Sequence, residues 1–154
     1  MTIPILTACA GFLLAVLWLD LIFDSQIRGR TGDHLQGDPH DEAALSSIAG
    51  YYRRATTRPM SGLIAVVMAM LLVTLAIQAV RGAAPGWLMI LCAVLAGGPI
   101  MLALLRTVPN AVRLGRRTDP IARQIQLARS IYRDHLICAA FIASFLVVLL
   151  VPAH

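Results

Sequence analysis

Ile3-Pro-Ile-Leu-Thr-Ala-Cys-Ala-Gly-Phe-Leu-Leu-Ala-Val-Leu-Trp-Leu19 carries no charge. It ends on Asp20 and, one helical turn later, Asp24. The run is long enough to enter a bilayer, whose hydrocarbon core of about 30 Å needs roughly 20 helical residues to cross. An acid at membrane depth is costly and calls for a partner or a purpose. Residues four apart share one face of a helix, so Asp20 and Asp24 are expected side by side.

Three later runs share this apolar character, without an internal repeat. Met60–Val80, Trp87–Leu105 and Leu136–Val151 are also apolar and of spanning length, the last gaining length from residues before it. Of the 154 residues, 58% are hydrophobic and 14% charged, with a mean hydropathy of +0.77. Soluble domains carry about a quarter charged residues. The expected fold is all-α: a polytopic integral membrane protein, an up-down four-helix transmembrane bundle with cytoplasmic helical extensions, forming one membrane domain over residues 1–154. Leu6-Thr7-Ala8-Cys9 looks like a lipoprotein cleavage box, but it lacks a basic stretch and a full apolar stretch before the cysteine. The first segment is therefore expected to stay in the mature protein. Cys9, Cys92 and Cys138 lie in separate apolar segments without metal-finger spacing and read as buried small hydrophobes.

All thirteen basic residues are arginine. Arg28, Arg30, Arg53, Arg54 and Arg58 fall in the first loop, and Arg106, Arg113, Arg116, Arg117, Arg123, Arg129 and Arg133 in the third region. The second loop has only Arg81. The positive-inside rule then places residues 24–59 and 106–135 in the cytoplasm and both termini outside a plasma (bacterial inner) membrane. Charges that flank spans explain the sequence pI near 9.9 better than a nucleic-acid partner does. The expected partners are membrane lipids and a second copy of the chain, as homo-oligomer, or a partner membrane subunit.

Between the first two spans, Arg28–His40 is polar and glycine-rich and reads as flexible. Asp41 is placed to cap a helix over Glu42–Thr56, whose Leu45, Ile48, Ala49, Tyr52 and Ala55 recur at helical spacing. Pro59 then opens the second span. Gly97-Gly98-Pro99 interrupts the third span and predicts a kink. Its two readings are close packing at Ala93 and Gly97, which is preferred, and a broken helix lining a cavity. Asp119-Pro120 predicts a capped helix start that runs unbroken into the fourth span.

These assignments gather polar groups at one boundary. Asp20 and Asp24 end the first span. Arg106, Asn110, Arg113 and Arg117 form one stripe if Pro109 only bends its helix, and Tyr132, Asp134, His135 and Cys138 open the last span. Tyr51, Tyr52, Arg53 and Arg54 lie on the same side. Three readings follow. In one, Asp20, Asp24 and Asp134 neutralise arginines such as Arg106 and Arg113, and the layer only fixes packing. In the second, Asp20, Asp24 and His135 transfer protons or ligate a divalent metal. In the third, Arg106, Asn110, Arg113, Tyr52 and Arg53 hold an anionic group. Together the last two describe a site for a lipid-soluble or amphiphilic substrate, with a structural or assembly subunit as the rival. A small transporter or channel is less favoured, because no charge sits in mid-span. In size and span count the chain resembles the small four-helix membrane glutathione and eicosanoid enzymes. Their arginine–asparagine–glutamate motif is met only as far as Arg106 and Asn110, with Arg113 where an acid is wanted, so no membership follows.

Overall fold

The computed structural model describes residues 2–28, 39–56, 58–82 and 84–151, and among these the chain is helical, without strands. Helix α1 covers Thr2–Asp24 and closes in a 3₁₀ turn, Ser25–Ile27. Helix α2 covers Pro39–Ala55, α3 Arg58–Val80 and α4 Gly86–Leu102. A π-helical segment, Ala103–Thr107, joins α4 to α5, Val108–Arg116, and α6 covers Ile121–Leu150. Four stretches are long and apolar enough to cross a membrane: Thr2–Ile27, Pro59–Val80, Gly86–Arg116 and Ile121–Leu150.

Helices α1, α3, α4 and α6 pack in a ring, α1 on α3 and α6, and α4 on α3 and α6. Gln78, near the end of α3, donates to Thr2 Oγ1 at the start of α1 (2.7 Å). Gly82, at φ 60°, closes α3 in the left-handed conformation that glycine adopts without strain. Where α4 crosses α6, a side chain on Gly98 would meet the Phe141 ring at 3.3 Å. The expected packing at Ala93 and Gly97 is thus displaced: Ala93 is exposed, and a Cβ on Gly97 would meet nothing within 4 Å. The outward surface is apolar, with Val66, Val73, Ile90, Leu105 and Val147 all exposed.

Two cores result. One, in the half of the ring away from α2, joins Leu6, Leu13, Leu71, Ala96, Ile142 and Phe145. The other lies under α2, where Leu45, Ile48 and Tyr52 pack on Ala111, Leu114, Ile125, Ala128 and Ile131 of the α5–α6 hairpin. The helical spacing of α2's apolar residues thus reports a real docking face. Full burial of side chains such as Leu45 and Ile48 contributes about 1.5–3 kcal/mol each.

Helix α2 starts earlier than an Asp41 cap requires, with Pro39 in its first position, where a missing N–H costs nothing. The stretch read as flexible falls mostly at residues 29–38, outside the described residues, and so does His34. Asp119 does not cap α6. Its carboxylate accepts Arg113 Nε (2.8 Å) and Nη2 (2.6 Å), while Gln124 Nε2 donates to the Asp119 carbonyl (2.6 Å). Two charge-assisted bonds to a guanidinium outcompete one bond to a helix N–H. Arg117 ends α5 at φ 53°, a strained conformation for a non-glycine residue. It is held there by bonds to Gln124 (3.2 Å) and Glu42 (2.6 Å).

Candidate functional site: a histidine between two carboxylates

Asp20 and Asp24 leave α1 on one face, and the two cores hold α2 and α6 against that face. Successive residues of α2 each reach one acid: Tyr51 donates to Asp20 Oδ1 (2.7 Å) and Tyr52 to Asp24 Oδ1 (2.6 Å). His135 of α6 stands between the carboxylates. Its Nδ1 lies 2.7 Å from Asp24 Oδ2, and its Nε2 lies 3.8 Å from Asp20 Oδ2. The first distance is a hydrogen bond and the second is too long to be one. Asp24 is 0% exposed and His135 7%. Phe23 stacks on the Tyr51 ring, with centroids 4.2 Å apart, and fixes its direction. Burial and then the bonded carboxylate push each phenol above the usual tyrosine range, Tyr51 through Asp20 and Tyr52 through Asp24. Both hydroxyls therefore stay neutral donors near neutral pH.

A cavity of about 390 Å³ opens beside this cluster, between the two cores. Its deep wall is apolar, from Leu13, Met68, Ile100 and Ile142, and its polar end presents Asp20, Tyr52 and His135. Ser61 and Ala65 of α3 and Leu104 and Val108 beyond α4 line it and are exposed, which places its lip between those two helices. Pro99 lines it too, and Cys138 Sγ donates weakly to the Pro99 carbonyl (3.7 Å). The glycine–proline interruption therefore borders a cavity, the reading less favoured from sequence. The size falls in the usual range for small-molecule sites, about 300–1,000 Å³, and an apolar chamber with a few converging polar groups is their usual composition.

The expected single polar layer resolves into separate groups. Asp20, Asp24, Tyr52 and His135 come together. Arg106 turns to α6, where Nη2 donates to Ser130 Oγ (2.9 Å) and Nε lies 3.2 Å from Asp134 Oδ2. That contact lacks hydrogen-bond geometry, and both oxygens of Asp134, a residue 0% exposed, have no hydrogen-bond partner among the described residues. Arg113 pairs with Asp119, Arg117 pairs with Glu42, and Arg53 is exposed. Arg53, Arg106, Asn110 and Arg113 do not line the cavity. Among the described residues, tyrosine and histidine stand where ion pairs between arginine and Asp20 or Asp24 were expected, because α2, not the arginine stripe, covers the end of α1.

The metal reading of Asp20, Asp24 and His135 is not supported by the geometry. Among the described residues no group of three His, Cys, Asp or Glu is placed to hold a metal ion. The two carboxylates face different ring nitrogens, whose lone pairs diverge, so one ion has no common point to occupy. All three cysteines are free and buried. Tyr51 was placed at this boundary from sequence but given no role, and the α3 wall of the cavity was not singled out. The Tyr51-Tyr52 pair on an amphipathic helix, at the same boundary as two acids, was the available signal; nothing in α3 marked its cavity face. No family model, no curated protein and no solved structure matches the chain.

Proposed function

We propose that this is a small integral membrane protein, an up-down four-helix bundle, whose cavity takes in a lipid-soluble or amphiphilic molecule and presents its polar end to an acid–base pair, Asp20 and His135. The observation that carries this reading is the meeting of an apolar chamber with a buried carboxylate–histidine–carboxylate cluster. Depth supports it. Nineteen residues separate Trp87 from Arg106 and eighteen separate Thr2 from Asp20. At 1.5 Å per residue these rise about 28 and 27 Å, close to one hydrocarbon core. Asp20 then sits at the boundary, and the cavity reaches about 10 Å inward, seven residues along α1 to Leu13. The Thr2–Gln78 bond at one end and the Asp24–His135 bond at the other support the alternating helix directions. Arginine crowding at the His135 end supports a cytoplasmic orientation for it.

In the mechanism we propose, Asp20 and His135 Nε2 touch the substrate, and His135 passes a proton between the cavity and Asp24. Tyr51 and Tyr52 orient the two carboxylates. The rival is a structural or assembly subunit, in which the cluster only fastens α1, α2 and α6. Native mass spectrometry of protein released from a neutral detergent separates the two. We expect a retained amphiphile in the parent protein. In Ala65→Phe, which fills the exposed lip while leaving both cores intact, it should be lost with the helical circular dichroism unchanged. A stoichiometric protein partner with no retained small molecule, or retention indifferent to Ala65→Phe, overturns the proposal.

A further inference from the structure

Among the described residues, the groups at the polar end of the cavity offer acceptors, and the nearby threonine hydroxyls are committed to backbone carbonyls, Thr56 to Tyr52 (2.7 Å) and Thr107 to Leu102 (3.4 Å). Tyr51 and Tyr52 have committed their hydroxyl hydrogens to Asp20 Oδ1 and Asp24 Oδ1. With Asp24 as a carboxylate, which only accepts, we assign the His135 proton to Nδ1 across the 2.7 Å contact. In the neutral ring Nε2 then shows a lone pair to the cavity. Beside it stands Asp20 Oδ2, 3.8 Å away and unbonded to it. One atom can lie about 2.8 Å from each of two atoms so spaced, within hydrogen-bond range of both.

Charge selects further. Among the described residues no arginine lines the cavity, and Arg106, Arg113 and Arg117 each have an acid elsewhere: Asp134, Asp119 and Glu42.

We infer that the cavity selects a lipophilic primary amine, whose ammonium donates one N–H to Asp20 Oδ2 and another to His135 Nε2 while its hydrocarbon tail lies along Leu13, Met68, Ile100 and Ile142. The inference rests on the cavity being a ligand site, as proposed above, and adds the head group. It reverses the expectation of an anionic substrate held by arginine.

Four probes with one tail test it: decylamine, decyltrimethylammonium, decanol and decyl phosphate, titrated by calorimetry into the full chain in a neutral detergent. Decylamine should bind at least about tenfold more tightly than each of the others, as two charge-assisted hydrogen bonds require. Asp20→Asn should remove most of that preference; the order among the probes on the parent protein stands as a test even if the variant does not fold. If decanol matches decylamine or decyl phosphate binds best, the amine inference is overturned and the cavity reading survives. If decyltrimethylammonium matches decylamine, the two-donor geometry is overturned. If none binds, the cavity reading falls and the inference with it.

Discussion

Asp24 and Asp134 are both wholly buried, yet they are held in different ways. Asp24 accepts a tyrosine hydroxyl and faces an imidazole nitrogen, all within 2.7 Å, from two other helices. Asp134 has one cation at 3.2 Å, half of it in the open, and no hydrogen bond among the described residues. The first carboxylate is part of a network that closes on itself beside a cavity. The second is compensated by charge alone, on the side of α6 that Arg106 reaches. His135 is the residue next to Asp134 in sequence, but it serves the other carboxylate. The lesson is that burial of an acid does not reveal its role; the geometry of what satisfies it does.

The sharpest way to break this contrast is Asp24→Ala. It leaves Tyr52 and His135 as buried donors without an acceptor, and a loss of about 3–5 kcal/mol is expected, as when one partner of a buried polar pair is removed. Reversible unfolding in mixed micelles measures it. An unchanged stability would mean that the network holds nothing together. Next comes Arg106→Met, which strands Asp134. Because Arg106 is half-exposed, we expect a smaller loss, about 1–3 kcal/mol. Adding Asp134→Leu should restore most of it, and a double-mutant cycle with no coupling would refute the pair.

Tyr52→Phe is expected to cost about 1–2 kcal/mol, one buried hydrogen bond to a carboxylate. It also has a pH signature. The folded phenol's proton is held more tightly than the unfolded one's, so the stability it gives is whole below the ordinary tyrosine value of about 10 and is lost as pH rises beyond it. Tyr52→Phe should flatten that alkaline decline; a decline of equal steepness in the variant would count against the network. The smallest effect belongs to the surface pair. Arg113 holds Asp119 below the usual carboxylate range, so its contribution is present above about pH 4 and fades on acidification through the lower, folded value. Arg113→Gln should change the acid limb only slightly and leave amphiphile retention untouched. A lost ligand would tie Arg113 back to the site.

Sequence patterning made the helices legible because each carries its own signal, apolar length in the spans and 3.6-residue spacing in α2. Asp20, Asp24, Tyr52 and His135 could be singled out as polar residues at one boundary. Their pairing could not, because it depends on where α2 docks, and the sequence before α2 carries no pattern that fixes its approach. The cavity was less legible still. Ser61, Ala65 and Met68 look like any other span residues, and a hollow is a property of several helices at once.

The π segment at Ala103–Thr107 gives a consequence of another kind. Its extra residue turns everything after it by about 100° relative to an uninterrupted α-helix. Arg106 can therefore face Ser130 while Ala111 and Leu114 face α2, a division that the four-three-four spacing of Arg106, Asn110, Arg113 and Arg117 conceals. Phase, not composition, is what this segment controls. Winding the same residues as an uninterrupted α-helix would keep every side chain and still rotate the α5 face of the second core away from its partner.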